Sequence, residues 1–145
     1  MDNEKLAKQL RIDEGVVKSA GLHVVYKDHL GCDTIGIGRL VDRRKGGGLT
    51  DDEVEYLLQN DIKEKLAQIK KQLNWFPTLP EPVQRALCNM CFQLGIDGLL
   101  GFKTTLKYIQ AGNYKEAAKN ARNSLWYKQT PERAERVCKL MESAK

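Results

Sequence analysis

At 145 residues, 41% hydrophobic and 30% charged, the chain can bury a core without disulfide or metal staples and is too apolar to be disordered. Its net charge of +5 favours a polyanionic partner, whether nucleic acid, an anionic membrane surface or an acidic cell envelope. No apolar run approaches the roughly 18 residues of a membrane span, and the Met1 to Lys5 start lacks a signal peptide's basic head and apolar core, so the expectation is no stable membrane insertion and synthesis in a cytoplasm.

Residues 2–13 read as a short helix, with Leu6, Ala7, Leu10 and Glu14 at three- and four-residue spacings and Gly15 placed to stop it. Glu14 falls at the end of that apolar face. From 16 to 41 the pattern changes. Val16-Val17, Val24-Val25-Tyr26 and Thr34-Ile35-Gly36-Ile37-Gly38 are short β-type runs broken by Gly21, Gly31 and Asp33, which predicts a small antiparallel meander. Asp42 to Gly48 is basic and glycine-rich without the residue order of a phosphate-binding loop. It reads as a flexible connection, with contact to an anionic polymer as the functional alternative.

Thr50-x-x-Glu53 is a capping box, and Val54, Leu57, Leu58, Ile62, Leu66, Ile69 and Leu73 continue at helical spacing. A helix over 50–73 would be roughly 35 Å long. Pro77 and Pro80 close that segment, and Pro82 to Leu94 reads as a central helix with Val83, Ala86, Leu87, Met90, Cys91 and Leu94 on one broad face. Gly95, Gly98 and Gly101 punctuate the turn after it. Short helices are predicted near 102–111 and 113–123, and Thr130-Pro131 opens a last helix whose inner stripe is Ala134, Val137, Cys138 and Met141. The layout is α+β and mostly helical: helix, small sheet, long helix, helical bundle.

Among the cysteines, Cys32, Cys88, Cys91 and Cys138, only Cys88 and Cys91 form a CxxC pair, and no second pair or nearby histidines complete a zinc set. Small buried apolar residues on a helix is the main reading, with redox or metal chemistry as the alternative. No cofactor is implied.

Two carboxyls stand in contrasting settings. Glu14 ends an apolar helix face, where desolvation would raise its pKa. Asp28 follows Lys27 in a short hairpin with Gly31, where it stays wet and ionised. Such a pair is what glycoside hydrolysis requires, one group to protonate the leaving oxygen and one to act ionised.

Leu10-Arg11-Ile12-Asp13-Glu14-Gly15, Tyr26-Lys27-Asp28, Gly31 and Thr34-Ile35-Gly36-Ile37-Gly38 resemble, in this order, the motifs of the bacteriophage-type lysozymes, the muramidase endolysins. Asn89-Met90-Cys91-Phe92-Gln93-Leu94-Gly95, Gly101-Phe102, Trp126-Tyr127 and Gln129-Thr130-Pro131-x-Arg133-Ala134-x-Arg136-Val137 are similar to that family's later motifs. The resemblance runs from about residue 6 to 140.

It implies a single lysozyme-like domain of two lobes: a β lobe over 15–49, a connecting helix over 50–73, and a helical lobe of 1–14 and 80–145. It also implies a monomeric hydrolase that cleaves the β-1,4 bond between N-acetylmuramic acid and N-acetylglucosamine in peptidoglycan with inversion. Glu14 becomes the general acid, Asp28 the second carboxylate and Thr34 the hydroxyl that positions water. Leu40, Phe92, Gln93, Thr105 and Asn120 match glycan-binding positions, while Trp126 and Tyr127 read as core. Arg133 is expected near Glu14, where its charge opposes the effect of burial on the pKa. Arg39 is expected to pair with Asp61 on the long helix. Such enzymes are made in the host cytoplasm and reach the periplasmic wall after a separate holin-like protein opens the membrane.

The spacing departs from the family. Thirteen residues, Gly15 to Lys27, separate Glu14 from Asp28. About five of them, within Val17 to Val24, are extra, and an odd insertion into a strand reverses the face of every later side chain. Either the segment loops out, helped by Ser19-Ala20-Gly21, or it lengthens a strand and displaces Asp28 unless a bulge restores the register. His23 lies in this segment and is read as non-catalytic. Three rival readings accompany the lysozyme: a lytic transglycosylase that uses the acid alone, a wall-binding module silenced by the insertion, and a basic nucleic-acid binder. The last is disfavoured because no helix concentrates basic residues into a recognition face.

Overall fold

The structure, a computed structural model, describes residues 1–144. By contact the chain falls into two compact units, residues 1–55 and the chain from Tyr56 onward.

In the first unit, α1 spans Asn3–Glu14, capped by Asp2, whose carboxylate accepts from the Lys5 backbone N–H at 3.0 Å. Gly15, at φ 72°, ends it. The helix buries none of its residues, and Leu6 and Leu10 are both exposed. Glu14, the last residue of the helix, is exposed.

The predicted meander is two sheets. β1 (Lys18–Ser19) and β2 (Leu22–His23) pair antiparallel, Lys18 opposite His23 and Ser19 opposite Leu22. Their turn places Ala20 at φ 50° and Gly21 at φ 81°, the paired positive φ values that suit a two-residue hairpin to strand twist. Here the extra residues fold as a hairpin of their own. β3 (Tyr26–Lys27), β4 (Asp33–Ile35) and β5 (Arg39–Leu40) form the second sheet in that order, with Tyr26 opposite Thr34 and Thr34 opposite Leu40.

Asp42 to Gly48 is not an open connection. Asp42 is buried and accepts from the backbone N–H groups of Asp33 (3.1 Å) and Arg44 (2.9 Å) and from the Arg44 guanidinium at 2.7 Å. These bonds hold its carboxyl far below the usual range, with the Arg44 side chain the largest cause. They fix Arg43–Lys45 as a 3-10 turn. Gly47 packs so closely on β5 that a Cβ there would meet the Leu40 carbonyl oxygen at 2.7 Å.

α2, Asp51–Gln72, begins with the predicted box: the Thr50 N–H donates to Glu53 Oε1 at 2.8 Å and the Glu53 N–H to Thr50 Oγ1 at 3.3 Å. Glu53 also takes the Arg39 guanidinium at 2.6 Å, so the partner of Arg39 is Glu53 and not Asp61. The carboxylate at the helix start lies closer to the returning strand than one two turns further along.

In the second unit, α3 (Glu81–Leu100) turns sharply at Gly95, whose φ of 75° and ψ of 170° are non-helical. α4 (Lys103–Gln110), α5 (Tyr114–Arg122), α6 (Leu125–Gln129) and α7 (Pro131–Glu142) follow. Leu87, Met90 and Cys91 of α3 pack with Ile109, Ala118, Trp126, Val137 and Met141 into one core, and the Phe102 and Trp126 rings meet edge to face at 5.7 Å. Trp126 is core as expected. All four cysteines are free; Cys32, Cys91 and Cys138 are buried and Cys88 is half-buried. No helix among the described residues is long and apolar enough to cross a membrane.

Candidate active site

Glu14, Asp28 and Thr34 line one cavity of about 360 Å³ in the first unit. α1 ends so that Glu14 reaches the turn before β5. There its carboxylate lies over Gly38, where a Cβ would stand 2.8 Å from Glu14 Oε2. Gly38 is also at φ 70°, so the last glycine of Thr34-Ile35-Gly36-Ile37-Gly38 answers both a backbone and a space requirement.

Asp28 leads the connection from β3 to β4 and is held by its own loop. Its Oδ1 accepts from the backbone N–H groups of Leu30 and Cys32, each at 2.9 Å, while its own N–H donates to the Cys32 carbonyl at 3.0 Å. Gly31, at φ 76°, makes that loop close. The Cys32 N–H lowers the Asp28 pKa most, burial opposes it, and the Leu30 N–H lowers it further. Asp28 is thus an ionised group, as its sequence setting suggests, with Oδ2 outside the loop's bonds.

Thr34 is buried, and its Oγ1 donates to the Cys32 carbonyl at 3.0 Å. With its proton committed, the hydroxyl oxygen is left as an acceptor. One peptide segment, Cys32, therefore orients both Asp28 and Thr34. Sequence reasoning passed over it because its contribution is backbone. His29, Tyr26, Lys27 and Asp13 share the cavity wall. Lys27 is tied to Asp33, directly opposite it across β3 and β4. No cluster among the described residues could hold a metal ion.

The other sequence-derived residues are placed separately. Leu40 is half-buried on β5 opposite Thr34. In the second unit, Thr105 is buried and donates to Asn120 Oδ1 at 2.7 Å, and both line a polar cavity of about 500 Å³. Phe92 and Arg133 share a more apolar cavity of about 370 Å³, and Arg133 donates to Asn89 Oδ1 at 3.0 Å. Gln93 is engaged at both ends of its amide: it accepts from Trp126 Nε1 at 2.9 Å and donates to Thr130 Oγ1 at 3.2 Å.

The sequence profile described as phage lysozyme matches residues 17–141. That span contains Asp28 and Thr34 and begins just after Glu14. The pre-baseplate central spike protein Gp5 of Enterobacteria phage T4 is 32% identical over 96% of this chain, which spans 28% of that protein. Probable T4-type lysozyme 1 of Dictyostelium discoideum is 31% identical over 82% of the chain and 85% of its own length. Peptidoglycan hydrolase gp36 of Pseudomonas phage phiKMV is 28% identical over 80% of the chain and 13% of its own length.

Proposed function

The chain belongs to the phage lysozyme family of glycosidases, and on that premise we propose that it hydrolyses the β-1,4 bond between N-acetylmuramic acid and N-acetylglucosamine in peptidoglycan. The observation that carries this reading is the shared cavity of Glu14, Asp28 and Thr34. In it Glu14, protonated, gives its proton to the leaving glycosidic oxygen. Asp28 Oδ2 and Thr34 Oγ1 act together as acceptors for the two hydrogens of one water, which aims the water's lone pair at the anomeric carbon. As that carbon–oxygen bond forms, Asp28 takes a proton, and the C–O bond to the leaving sugar breaks. Solvent then returns the proton from Asp28 to Glu14. Attack from the face opposite the leaving group inverts the anomeric centre, a route that uses carboxyls roughly 6.5–9.5 Å apart.

Leu40, Phe92, Gln93, Thr105 and Asn120 are assigned to glycan binding and Arg133 to a supporting cationic role. The monomer acts in host lysis, reaching the periplasmic wall once a separate holin-like protein has opened the membrane. Turbidity loss of purified cell walls by the wild type, Glu14→Gln and Asp28→Asn tests the assignment, with both variants expected to fall to background. In Asp28→Asn the amide oxygen can keep the bonds that Oδ1 makes to Leu30 and Cys32, so that variant separates chemistry from folding. Full activity of Glu14→Gln would overturn the reading. Mass spectrometry of the digest should show products heavier by one water, which an anhydro-sugar-forming transglycosylase does not give.

A further inference from the structure

The peptide unit that joins Cys32 to Asp33 is held from both ends. Its carbonyl oxygen accepts from the Asp28 N–H and from Thr34 Oγ1, each at 3.0 Å. Its N–H, which belongs to Asp33 and points the opposite way across a trans peptide, donates to Asp42 Oδ2 at 3.1 Å. Asp42 also gives its own N–H to the Asp33 carbonyl at 3.0 Å. Asp42 is 2% exposed and lies outside the wall of the cavity that Glu14, Asp28 and Thr34 line. Its remaining acceptor capacity is taken by Arg44, whose backbone N–H and Nε reach Oδ1 at 2.9 and 3.1 Å and whose Nη2 reaches Oδ2 at 2.7 Å. The Arg44 side chain is 72% exposed, so it covers the buried carboxylate from the solvent side. A buried charge with this many fixed donors holds its place. A peptide whose N–H binds a carboxylate also has a more strongly polarised carbonyl.

We propose that Asp42 is a positioning residue for the reaction: through the Cys32–Asp33 peptide it fixes where the Asp28 carboxylate and the Thr34 hydroxyl meet their shared water. The assignment rests on the reading of Asp28 and Thr34 as the groups that hold the attacking water, and it deepens that reading. Asp42 touches neither the water nor the glycan. Its carboxylate sets the plane of one peptide, and the carbonyl of that peptide sets two groups, one leading the β3–β4 connection and one on β4. Two acceptors that share one water must keep their separation, because the rate falls steeply when reacting groups are misplaced. Loss of Asp42 therefore shows in turnover and not in substrate affinity.

The test uses Asp42→Asn in the full chain, which keeps the side chain's size but replaces one acceptor oxygen with a donor among donors. On soluble peptidoglycan fragments the variant is expected to lose about tenfold or more in kcat with KM unchanged. Starting from Thr34→Ala, the same change should cost markedly less, because one of the two groups it positions is already gone. Amide hydrogen exchange followed by nitrogen-15 NMR reads the loop without any chemistry. The Asp28 amide should exchange at least about tenfold faster in Asp42→Asn, while the Leu106 amide, bonded to the Phe102 carbonyl in the second unit, keeps its rate. Arg44→Gln, at an exposed side chain, is the milder variant and should move both readouts the same way by less. Arg43→Gln, exposed on the same turn, should match the wild type in both. An unchanged Asp28 exchange rate in Asp42→Asn, a raised KM with kcat intact, or equal losses with and without the Thr34 hydroxyl would overturn the proposal. If the wild type releases no reducing ends, the muramidase reading fails, and Asp28 exchange alone then decides whether Asp42 holds the loop.

Discussion

The Glu14 carboxylate rests on the α-carbon of Gly38, where a methyl group would approach Oε2 to 2.8 Å. The contact sets how far the acid reaches into its cavity. Gly38→Ala would press on Glu14 and also strain a backbone at φ 70°, a cost of roughly 1–2 kcal/mol for a residue with a Cβ. The flexible Glu14 side chain can yield, so the expected outcome is a folded protein with a lowered Tm and a loss of wall-lytic activity of tenfold or more. Thermal melts and turbidity assays on the same preparation check it. Retention of full activity would show that the contact does not position the acid.

The β1–β2 hairpin can be removed at a defined seam. Val24 donates its N–H to the Val17 carbonyl at 3.3 Å, so the two ends already lie side by side. Replacing Lys18 to His23 with a single glycine removes the five residues that lengthen the Glu14 to Asp28 segment. β3 keeps its pairing of Tyr26 with Thr34, and Asp28 keeps its loop. Activity should be similar to or above wild type. An inactive but folded variant would make the hairpin part of the site.

Local signals were legible where residues close in sequence settle the geometry. Thr50 and Glu53 cap each other within one turn, and Thr34 to Gly38 carries both the buried hydroxyl and the glycine that Glu14 needs. Periodicity along α1 identified Leu6, Ala7 and Leu10 as a stripe, but a stripe does not say whether anything covers it, and here the helix is exposed. Asp42 was hidden among Arg43, Arg44 and Lys45 because charge counting sees the cations and misses the one buried carboxylate that organises them. Arg39 faced two acidic candidates on one helix, and only the fold of β5 onto the capping turn distinguishes Glu53 from Asp61.

The Asp28 loop predicts the acid limb of the pH profile. Its pKa is lowered from the ordinary 3.8, chiefly by the Cys32 N–H, so the carboxylate stays charged to lower pH than a free aspartate. Hydrolysis that needs Asp28 ionised should therefore keep its acid limb below 3.8. Initial rates on a soluble, uncharged glycan fragment between about pH 2.5 and 7 measure this without interference from the wall's own titration. An acid limb of the wild-type profile lying above 3.8 would contradict it.

Burial raises the thiol pKa values of Cys88, Cys91 and Cys138, the last to about 11. Thiolate is the reactive form, so at pH 7.5 these groups should resist alkylation. Iodoacetamide labelling followed by intact-mass analysis should modify these three far more slowly in the folded protein than in guanidinium. Rapid labelling of Cys88 and Cys91 together would revive a chemical role for the CxxC pair.

Arg122 joins α5 to α7 through Glu135 at 2.9 Å and through Glu142, while Tyr127 donates its hydroxyl hydrogen to Glu135 at 2.9 Å. Arg122, then Tyr127, holds Glu135 at about 2, below its ordinary 4.5, and Arg122 lowers Glu142 as well. Because these folded-state values are depressed, the stabilisation is fully present above about pH 4.5 and is lost as pH falls toward about 2. Arg122→Met leaves two half-buried carboxylates facing each other without their cation. It should lower the Tm at pH 7 by several degrees and flatten the decline in Tm between those pH values. Arg122→Lys should recover only part of the loss, since one ammonium cannot fork two carboxylates as a guanidinium does. Arg136→Met, at an exposed site on α7, is the control. Melting curves followed by circular dichroism decide the matter: parallel pH profiles for Arg122→Met and wild type would remove the network from the account of acid stability.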